Sequence, residues 1–441
     1  MTKFHFEADM AVRHSVDVCI TGAGPAGIAA AVTAARQGAK VLLLDAHTMP
    51  GGMSTAGRVP VLMPYSDGIN FLPGGFGKEV FDRTVEVSGQ HGFDNCGGLL
   101  HAEQLKLIYE DLLTEAGVEL LYYARLAAVN TENGMIRQTV YASQSGLFAV
   151  EAKIFIDGTG DGTVAAWAGA PFEMAPLDEI MPATLCSLWA GFDWAAYMKG
   201  GAFSHNDDKM PELLAAAFKD GSLSTEDYHH TGMNRISNLV AGGNFTHVFG
   251  IDPTDERSLT RGLIENRRLL REYERFYRKH IAGFANAEIV DSGSLLGVRE
   301  SRRITGDYTL VLEDFRARRD FPDEIGRYNF PADIHPARPS REQVEEHKRV
   351  FRGTACGRGE SYGIPYRVLL PQKVNNLLTC GRCVSADRHV HASLRVIPGC
   401  WITGQAAGMA GAMAAKANCT PRQIDVQLLR DRLREAGGYF H

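Results

Sequence analysis

Residues 17–45 read DVCITGAGPAGIAAAVTAARQGAKVLLLD, and this stretch decides the fold. An apolar strand leads into a glycine-rich turn, an alanine-rich helix and a second apolar strand. The turn has GxGxxG spacing, in which successive glycines make the sharp turn, admit a pyrophosphate and let the helix pack against the strand. Asp45 ends the second strand and can accept hydrogen bonds from ribose hydroxyls. The predicted ligand-contacting residues of the turn are Gly22, Gly24, Pro25, Ala26 and Gly27.

Composition indicates a globular protein of two or three domains. The chain has 441 residues, of which 45% are hydrophobic and 22% charged. Its net charge of -6, without a basic excess, argues against a nucleic-acid partner. The first 16 residues lack the apolar core of a signal peptide, and no run is apolar enough to span a membrane, so we expect a cytoplasmic protein. The eight cysteines are too dispersed to indicate a disulfide framework.

Three later segments are also rich in glycine, like the first turn. The pair Gly51-Gly52 follows the strand that ends at Asp45, where backbone N–H groups can lie along a cofactor. Residues 153–157 (KIFID) predict a central parallel strand that leads into the loop Thr159-Gly160-Asp161-Gly162 and a small-residue helix. From residue 366 a strand, a loop and a glycine- and alanine-rich helix follow.

The remaining elements are predicted from periodicity and turn signals. Residues 125–150 alternate like an antiparallel meander, with a hairpin turn at Asn133-Gly134. Residues 1–14 predict a loose or edge-pairing tail, and residues 118–124 a buried strand. Further helices are predicted at 76–90, 102–116 and 255–281 and after Ser340, where Gln343 has the spacing of a capping box.

This order of elements predicts an α/β fold. We expect a doubly wound parallel sheet, with an antiparallel meander, in a discontinuous cofactor domain of residues 1–169 and 366–441. Residues 170–365 then form an inserted α+β domain that binds the substrate.

Five segments carry a resemblance to a known family. Together with GAGPAG they resemble the two-domain flavoproteins of the glutathione-reductase-like superfamily, and more narrowly the bacterial FAD-dependent oxidoreductases. The segments are GGMSTAG (51–57), IDGTGDGTVAAWAG (156–169), GVRESRRITGDYTL (297–310), GIPYRVLLP (363–371) and CGRCVSADRHVHASLRVIPGCWITGQAAG (380–408).

The resemblance implies that the cofactor is FAD. It places the N-terminus of the last helix, near Thr403, at the pyrimidine edge of the flavin, and backbone around Val129 at the adenine. No second GxGxxG has a strand–turn–helix context, so we expect no dedicated NAD(P)H domain. The further cofactor-binding residues expected are Asp45, Ala46, Gly51, Gly52, Met53, Ser54, Val129, Gly158, Thr159, Gly160, Asp161, Gly381, Arg382, Gly404, Gln405 and Ala406.

Candidate catalytic residues come from two of these segments. The resemblance places His389, His391 and Arg395 close to the isoalloxazine, where a histidine could take a substrate proton or bond covalently to the flavin. Arg299 could pair with a substrate carboxylate or phosphate. The alternative is structural: histidines satisfied by packing, and arginines of GVRESRR that brace a domain interface with Glu300.

Cys380 and Cys383 form a CxxC motif, which is typical of redox-active disulfides. The disulfide reductases of this superfamily carry their cysteine pair just after the first βαβ unit, where this chain reads GGMST, so packing is the favoured role. No metal site is expected, because Cys356, Cys400 and the pair His229-His230 stand alone.

We therefore predict an FAD-dependent oxidoreductase of the dehydrogenase or oxidase type. Hydride passes between a small hydroxylated metabolite and flavin N5, a histidine assists proton transfer and an arginine orients the substrate. Three alternatives stay open: an ene-reductase of the fumarate-reductase kind, a flavin monooxygenase, and a non-enzymatic redox sensor that uses the CGRC. The expected partners are the substrate and an electron acceptor, while the oligomeric state is open.

Overall fold

A computed structural model describes residues 5, 7–88, 98, 99, 101–200, 210–228 and 233–441. Its strands are β1 Val12–Thr21, β2 Val41–Leu44, β3 Val61–Leu62, β4 Gly98–Leu99, β5 Glu119–Leu121, β6 Arg125–Glu132, β7 Met135–Ser143, β8 Gly146–Asp157, β9 Phe172–Glu173, β10 Ala183–Thr184, β11 Ser187–Ala190, β12 Met233–Arg235, β13 Ala241–Gly243, β14 His247–Val248, β15 Glu288–Ser292, β16 Arg303–Ile304, β17 Glu324–Tyr328, β18 Tyr362–Pro365 and β19 Leu377–Thr379. Its α-helices are α1 Pro25–Arg36, α2 Phe76–Ser88, α3 Ala102–Glu115, α4 Thr163–Trp167, α5 Trp194–Gly200, α6 Met210–Asp220, α7 Glu256–His280, α8 Leu312–Arg316, α9 Arg341–Gly353, α10 Arg388–Leu394, α11 Ile397–Ala417 and α12 Val426–Glu435.

The largest sheet contains the predicted βαβ unit at its centre. Its strands are ordered β5-β2-β1-β8-β7-β6, and β19 pairs with the end of β8. The pairs among β5, β2, β1, β8 and β19 are parallel, whereas β6 and β7 form the antiparallel meander. The meander's last strand and the predicted central strand at 153–157 are one unbroken strand, β8.

The parallel strands end at one level. Thr21 of β1 lies opposite both Leu44 of β2 and Asp157 of β8, and Asp157 lies opposite Thr379 of β19. Open α/β sheets bind their ligands outside the carboxyl ends of the strands. The glycine-rich loops therefore all emerge at the edge where a ligand is expected.

Both faces of this sheet are buried, which explains its near-continuous apolar strands. Ile20 and Ile156 point into the core beneath helices α1, α3 and α11. Cys19 and Phe155 point into a second core beneath the meander and α4. The predicted α/β class and its sheet are thus confirmed, with the meander covering much of one face.

Helices α1 and α11 pack backbone against backbone. A Cβ on Gly404 would lie 2.2 Å from the carbonyl oxygen of Ala26, and a Cβ on Gly408 would lie 2.2 Å from that of Ala30. Side chains larger than hydrogen cannot occupy these two positions without moving a helix. This contact joins the first and last parts of the chain.

Residues 183–296 build a separate apolar core, which includes Trp189 and Tyr277. The chain enters this unit through β9 and leaves it through β16, and these two short strands pair antiparallel. Residues from Leu310 onward pack in the same core as the glycine turn. The boundaries at 170 and 365 stay predictions, and the division of the cores favours an insertion that ends near residue 300.

Most of the predicted helices are found with similar bounds. Helices α2, α3 and α7 occupy the predicted ranges, and Asp255 caps α7 by accepting a hydrogen bond from the Ser258 N–H; residues 89 and 90 of the predicted 76–90 helix lie outside the described ranges. Ser340 caps α9 as predicted, but Gln343 accepts from the Arg338 N–H, so the predicted capping box does not form.

One other sequence prediction is wrong. The stretch 118–124 yields only the edge strand β5, whose side chains are partly exposed. The tail over 1–14 was predicted to be loose or edge-pairing, and its last three residues already belong to β1 and pair with β8. Within the described residues, no helix combines the length and apolarity needed to cross a membrane.

The α1–α11 contact gives a direct test. Gly408→Ala places a methyl group against the Ala30 carbonyl oxygen and should lower the free energy of unfolding by about 1–3 kcal/mol or more, through overpacking. Gly353→Ala is the matched control, because its Cβ meets nothing within 4 Å. Denaturant unfolding compares the two, and equal midpoints would contradict the proposed close packing.

Candidate functional site

The first glycine loop has the backbone geometry that its sequence predicts. Gly22 has a φ of 98°, in the left-handed region, and a Cβ on it would lie 2.6 Å from the carbonyl oxygen of Gly158. A Cβ on Gly27 would lie 1.9 Å from the carbonyl oxygen of Gly22. The predicted sharp turn at Gly22 and the close contact of helix and strand at Gly27 are confirmed.

Gly24 is different, because open space lies beside it. Its φ of -72° suits any residue, and a Cβ there would meet only the Gly158 carbonyl oxygen, at 3.8 Å. Gly24 is the N-cap of α1, Pro25 follows at the first helical position, and no side chain caps the helix. The uncapped N–H groups of Ala26 and Gly27 and the open space above Gly24 fit a phosphate group.

Asp45 is fixed directly beside the glycine turn. One carboxylate oxygen accepts a 2.6 Å hydrogen bond from the Ala23 N–H, and the other accepts one from the His47 N–H at 2.8 Å. Although burial raises it, the His47 and Ala23 hydrogen bonds hold the pKa of Asp45 below its usual value. Asp45 is therefore an ionised acceptor held beside the glycine turn, as its predicted ribose contact requires, and Ala46 follows it in the same bend.

The second glycine pair lies against the first loop. The Gly51 N–H donates to the Ala23 carbonyl at 2.7 Å, and a Cβ on Gly52 would lie 3.3 Å from the Cα of Gly24. Gly52, Met53 and Ser54 form a 3-10 turn. The Ser54 hydroxyl donates to the Gly51 carbonyl within this turn.

The third loop joins the same cluster from the end of β8. The buried carboxylate of Asp157 accepts hydrogen bonds from Thr159 and from the Ala165 N–H, which fixes the loop. The Arg382 side chain, from the segment after β19, donates to the Gly160 carbonyl at 2.9 Å and to the Asp161 carboxylate at 2.7 Å. The three glycine loops and the segment after β19 thus meet at one edge of the sheet.

The CGRC segment contributes backbone rather than thiol chemistry. Gly381 has a φ of 75°, and its Cβ would lie 2.9 Å from the Cβ of Ala26. The thiols of Cys380 and Cys383 are free and fully buried, and burial raises the pKa of both well above the usual value. Buried, protonated thiols of this kind favour packing over redox exchange.

The last helix starts earlier than the sequence predicts. α11 begins at Ile397, with Pro398 in its first turn, so Thr403 lies almost two turns inside the helix. Gly404 instead packs on α1, and the Gln405 side chain accepts a 2.6 Å hydrogen bond from the Phe76 N–H at the start of α2. These contacts assign helix packing to Gly404, Gln405 and the buried Ala406, and correct the predicted helix start.

The predicted adenine contact of the backbone around Val129 stays a prediction. Val129 packs against the core beneath the meander, in the middle of β6. The start of β6 is the part that lies near the site, because the Ala124 N–H donates to the Asp45 carbonyl at 2.9 Å. Five residues of extended strand separate Ala124 from Val129, which is roughly 16 Å.

His389 and His391 lie in different environments. Residues 388–394 form helix α10, not the predicted loop, and residues two apart on a helix point in different directions. His389 is partly exposed, whereas His391 is 1% exposed and neither of its ring nitrogens has a hydrogen-bond partner among the described residues. The structure therefore separates His391 as the candidate that needs a ligand.

The surroundings of His391 keep its ring neutral. Burial, and then the charges of Arg395, Arg303 and Arg382, hold the pKa of His391 well below its usual value, and the nearby Arg382 backbone, whose geometry falls short of a hydrogen bond, opposes this shift only in part. A neutral imidazole has an acceptor nitrogen at pH 7. His391 therefore offers an acceptor nitrogen to a molecule bound beside it, while the same surroundings disfavour its protonated form.

Arg395 is held by a buried chain of polar side chains. Its Nη2 donates to the carbonyl and the carboxylate of Asp333, at 3.0 and 3.2 Å. The Asp333 carboxylate lies 3.1 Å from His335, whose other ring nitrogen lies 3.2 Å from His247, and His247 contacts Asp227. This series of hydrogen-bonded side chains connects Arg395 with the unit whose core is built by residues 183–296.

The arginines of GVRESRR have different environments. Glu300 is 1% exposed and pairs with both Arg303 and Arg388, while Arg302 donates to the Asp161 carbonyl and stacks on Phe172. These contacts support the structural alternative, a braced interface, for Arg302 and Arg303. Arg299 is also buried but stands apart, because among the described residues it donates only to neutral oxygens.

Sequence reasoning missed Asp227, His247, Asp333 and His335. They come from three distant stretches of chain, and no spacing in the sequence connects them. His229 and His230 lie outside the described ranges. Among the residues described, no group of three or more His, Cys, Asp or Glu side chains is placed to hold a metal ion.

Two features test whether FAD suits this site. The turn from Gly22 to Gly27, which we call the glycine cradle, leaves space where a pyrophosphate would lie. This space is next to uncapped N–H groups and the Asp45 carboxylate. His391 and the Arg395 Nε are buried without partners among the described residues, as expected for groups that face a bound molecule. The residues present fit the cofactor.

The family is decided by a comparison with protein-family models. The model described as FAD dependent oxidoreductase matches residues 17–433. The chain belongs to this family. Its cofactor is accordingly FAD, and the predicted flavoprotein oxidoreductase is confirmed at this level. No curated protein matches the chain.

The chain is also similar to several solved structures. One is a geranylgeranyl bacteriochlorophyll reductase-like protein from Thermoplasma acidophilum, with 14% identity, a TM-score of 0.45 and coverage of 96% of this chain and 84% of that chain. Another is the flavin-dependent brominase Bmp2, with 14% identity, a TM-score of 0.47 and coverage of 96% of this chain and 83% of that chain. A third is the p-nitrophenol 4-monooxygenase PnpA from Pseudomonas putida DLL-E4, with 10% identity, a TM-score of 0.43 and coverage of 96% of this chain and 81% of that chain. At such identities none of these activities is carried over to this chain.

The contrast between Gly24 and Gly27 gives a test of the FAD cradle. Gly24→Ala should leave the unfolding midpoint of the apoprotein unchanged and weaken FAD binding, because its Cβ enters only the open space. Gly27→Ala should lower stability by about 1–3 kcal/mol or more, since its Cβ meets the Gly22 carbonyl. Fluorescence titration with FAD measures the affinity. Unchanged FAD affinity in the Gly24 variant would contradict a phosphate at this position.

Proposed function

We propose that this FAD-dependent enzyme is of the dehydrogenase or oxidase type and exchanges a hydride between a small hydroxylated metabolite and flavin N5. The observation that supports this proposal most is the buried, neutral and unpartnered imidazole of His391. A proton acceptor of this kind is what the oxidation of an alcohol requires.

The cofactor would be held by the loops at the carboxyl edge of the sheet. Gly22, Gly24 and the first turn of α1 would bind the pyrophosphate, and Asp45 the ribose. The further backbone contacts would come from the Gly51-Gly52 pair and the Gly158–Asp161 loop. When bound, FAD supplies a hydride acceptor at N5.

His391 would act as the general base. As the C–H bond of the substrate breaks and its electron pair leaves with the hydrogen as hydride, the hydroxyl proton passes to the free imidazole nitrogen. The alcohol thereby becomes a carbonyl compound, and His391 becomes an imidazolium. In the reverse direction the same residue donates the proton.

Arg395 would orient the substrate through its unpartnered Nε. It lies four residues after His391, one helical turn along α10, and the Arg395 N–H donates to the His391 carbonyl at 3.0 Å. Asp333 holds the Arg395 guanidinium, so Asp333 is a positioning residue. The substrate would enter between two parts of the protein. One is the predicted cofactor domain of residues 1–169 and 366–441, and the other is the unit whose core is built by residues 183–296.

The first experiment examines the purified protein. Its visible spectrum is recorded before and after acid precipitation, and colour that stays in the pellet would indicate covalent flavin. Hydroxylated metabolites are then mixed anaerobically with the holoprotein, where the proposal expects one of them to bleach the flavin. The proposal fails if none does and the dithionite-reduced protein is instead reoxidised by an activated alkene, as for an ene-reductase.

A variant pair tests the base. His391→Gln should slow anaerobic bleaching about 100- to 10,000-fold, the usual contribution of a general base. His389→Gln is the matched control from the same helix and should change the rate little, because its side chain points elsewhere. Stopped-flow absorbance measures both rates, and equal effects in the two variants would exclude this role for His391.

The pH dependence has a defined sign. Because burial and neighbouring arginines hold the pKa of His391 well below its usual value, the active neutral form persists as the pH falls. The wild-type bleaching rate should stay level between about pH 8 and 6.5 and decline only under more acidic conditions. A decline that is already half complete near pH 6.5 would show that the base is an unperturbed group.

A further inference from the structure

We propose that the substrate of this enzyme is an anion, a hydroxy acid whose carboxylate is bound by Arg299 and Arg395. The hydroxyl part of this inference rests on the proposed function, whereas the anion site stands on its own contacts.

The strongest observation is the environment of Arg299. Its guanidinium is buried, and both of its hydrogen bonds come from Nη1, to the Pro182 carbonyl at 2.8 Å and the Thr184 hydroxyl at 2.6 Å. Nε and Nη2 make no hydrogen bond with the described residues, and Arg299 forms no ion pair with them. A buried guanidinium without a counter-ion is costly unless a ligand supplies the negative charge.

Neighbouring arginines do not share this property. Arg303 and Arg388 pair with Glu300, and Arg382 pairs with Asp161. The carboxylates of Asp333 and Asp227 act on Arg299 only at a distance, since Asp333 is bonded to Arg395 and His335, and Asp227 to His247. The uncompensated positive charge is therefore concentrated at Arg299.

Arg395 supplies the second guanidinium. Its Nε is buried without a partner among the described residues, although Nη2 bonds to Asp333. Arg299 and Arg395 belong to one network, because Thr184, which accepts from Arg299, lies opposite His247 in the β10–β14 pair, and His247 leads through His335 and Asp333 to Arg395. Burial, and next the charge of Arg395, lower the pKa of Arg299 to about 10, so Arg299 stays charged at pH 7. Two guanidinium groups in one neighbourhood would match the two oxygens of one carboxylate.

The position of His391 favours a carboxylate close to the reacting carbon. Arg395 is the C-cap of α10 and lies four residues after His391, on the same side of the helix end, where such side chains start about 5–6 Å apart. A molecule that presents its hydroxyl to the imidazole and its anion to the guanidinium must carry the two groups within a few bonds. A 2-hydroxy acid meets this requirement, whereas a phosphate ester holds its charge further from the hydroxyl.

The test uses dead-end probes that cannot be oxidised. The FAD holoprotein is titrated with malonate, and binding is read from the change in the flavin spectrum. Malonamide, the neutral counterpart of similar shape, is the control, and inorganic phosphate is the competing anion. We expect saturable binding of malonate, no binding of malonamide and weaker binding of phosphate. Equal responses to malonate and malonamide, or tighter binding of phosphate, would overturn the carboxylate site.

Variants of Arg299 then assign the site. Arg299→Gln should weaken malonate binding roughly 30-fold or more, because it removes a buried charge partner. Arg299→Lys should bind with intermediate affinity, and Arg261→Gln, on the exposed side of α7, should bind like the wild type. Unchanged affinity in Arg299→Gln would overturn the assignment. If that variant does not fold, the malonate and malonamide comparison on the wild-type protein still decides.

The outcome is separate from that of the proposed function. Malonate binding without bleaching by any 2-hydroxy acid would leave the anion site in place and count against hydride transfer from a hydroxy acid. Bleaching by neutral polyols, with no response to malonate, would retain the proposed function and overturn the anion site.

Discussion

The close contact between α1 and α11 is the constraint on which the rest of the structure depends. Gly404 and Gly408 let the two helices meet at backbone distance, although nearly the whole sequence lies between them. The contact aligns the GxGxxG turn with the segment after β19, and Gly381 then packs against Ala26. One small-residue interface thus assembles loops from four parts of the chain at a single edge of the sheet.

Electrostatics shape the substrate side of this edge. Buried arginines surround His391, and carboxylates such as Glu300 and Asp333 neutralise most of them. Burial of the imidazole, and then the remaining positive charge, hold the pKa of His391 well below its usual value. The same positive charge would bind the anion that we propose, so the proposed proton acceptor and the proposed anion site both depend on charged groups in a region of low dielectric.

The sequence was sufficient for features set by local chemistry. GAGPAG, the strand ending at Asp45 and the Asn133-Gly134 turn each impose a backbone geometry, and each was predicted correctly. The start of α11 was missed because Pro398 and Gly399 are typical of loops, yet proline is well tolerated in the first turn of a helix. The chain of buried acids and histidines could not be predicted, because only tertiary packing brings His247 to His335.

The most direct test of this account is a crystal structure of the protein with FAD. The account predicts the pyrophosphate over Gly24 and the first turn of α1, a ribose at Asp45 and the isoalloxazine ring beside His391. An isoalloxazine ring remote from His391, with another side chain next to N5, would contradict the central claim that the glycine cradle delivers the flavin to this histidine.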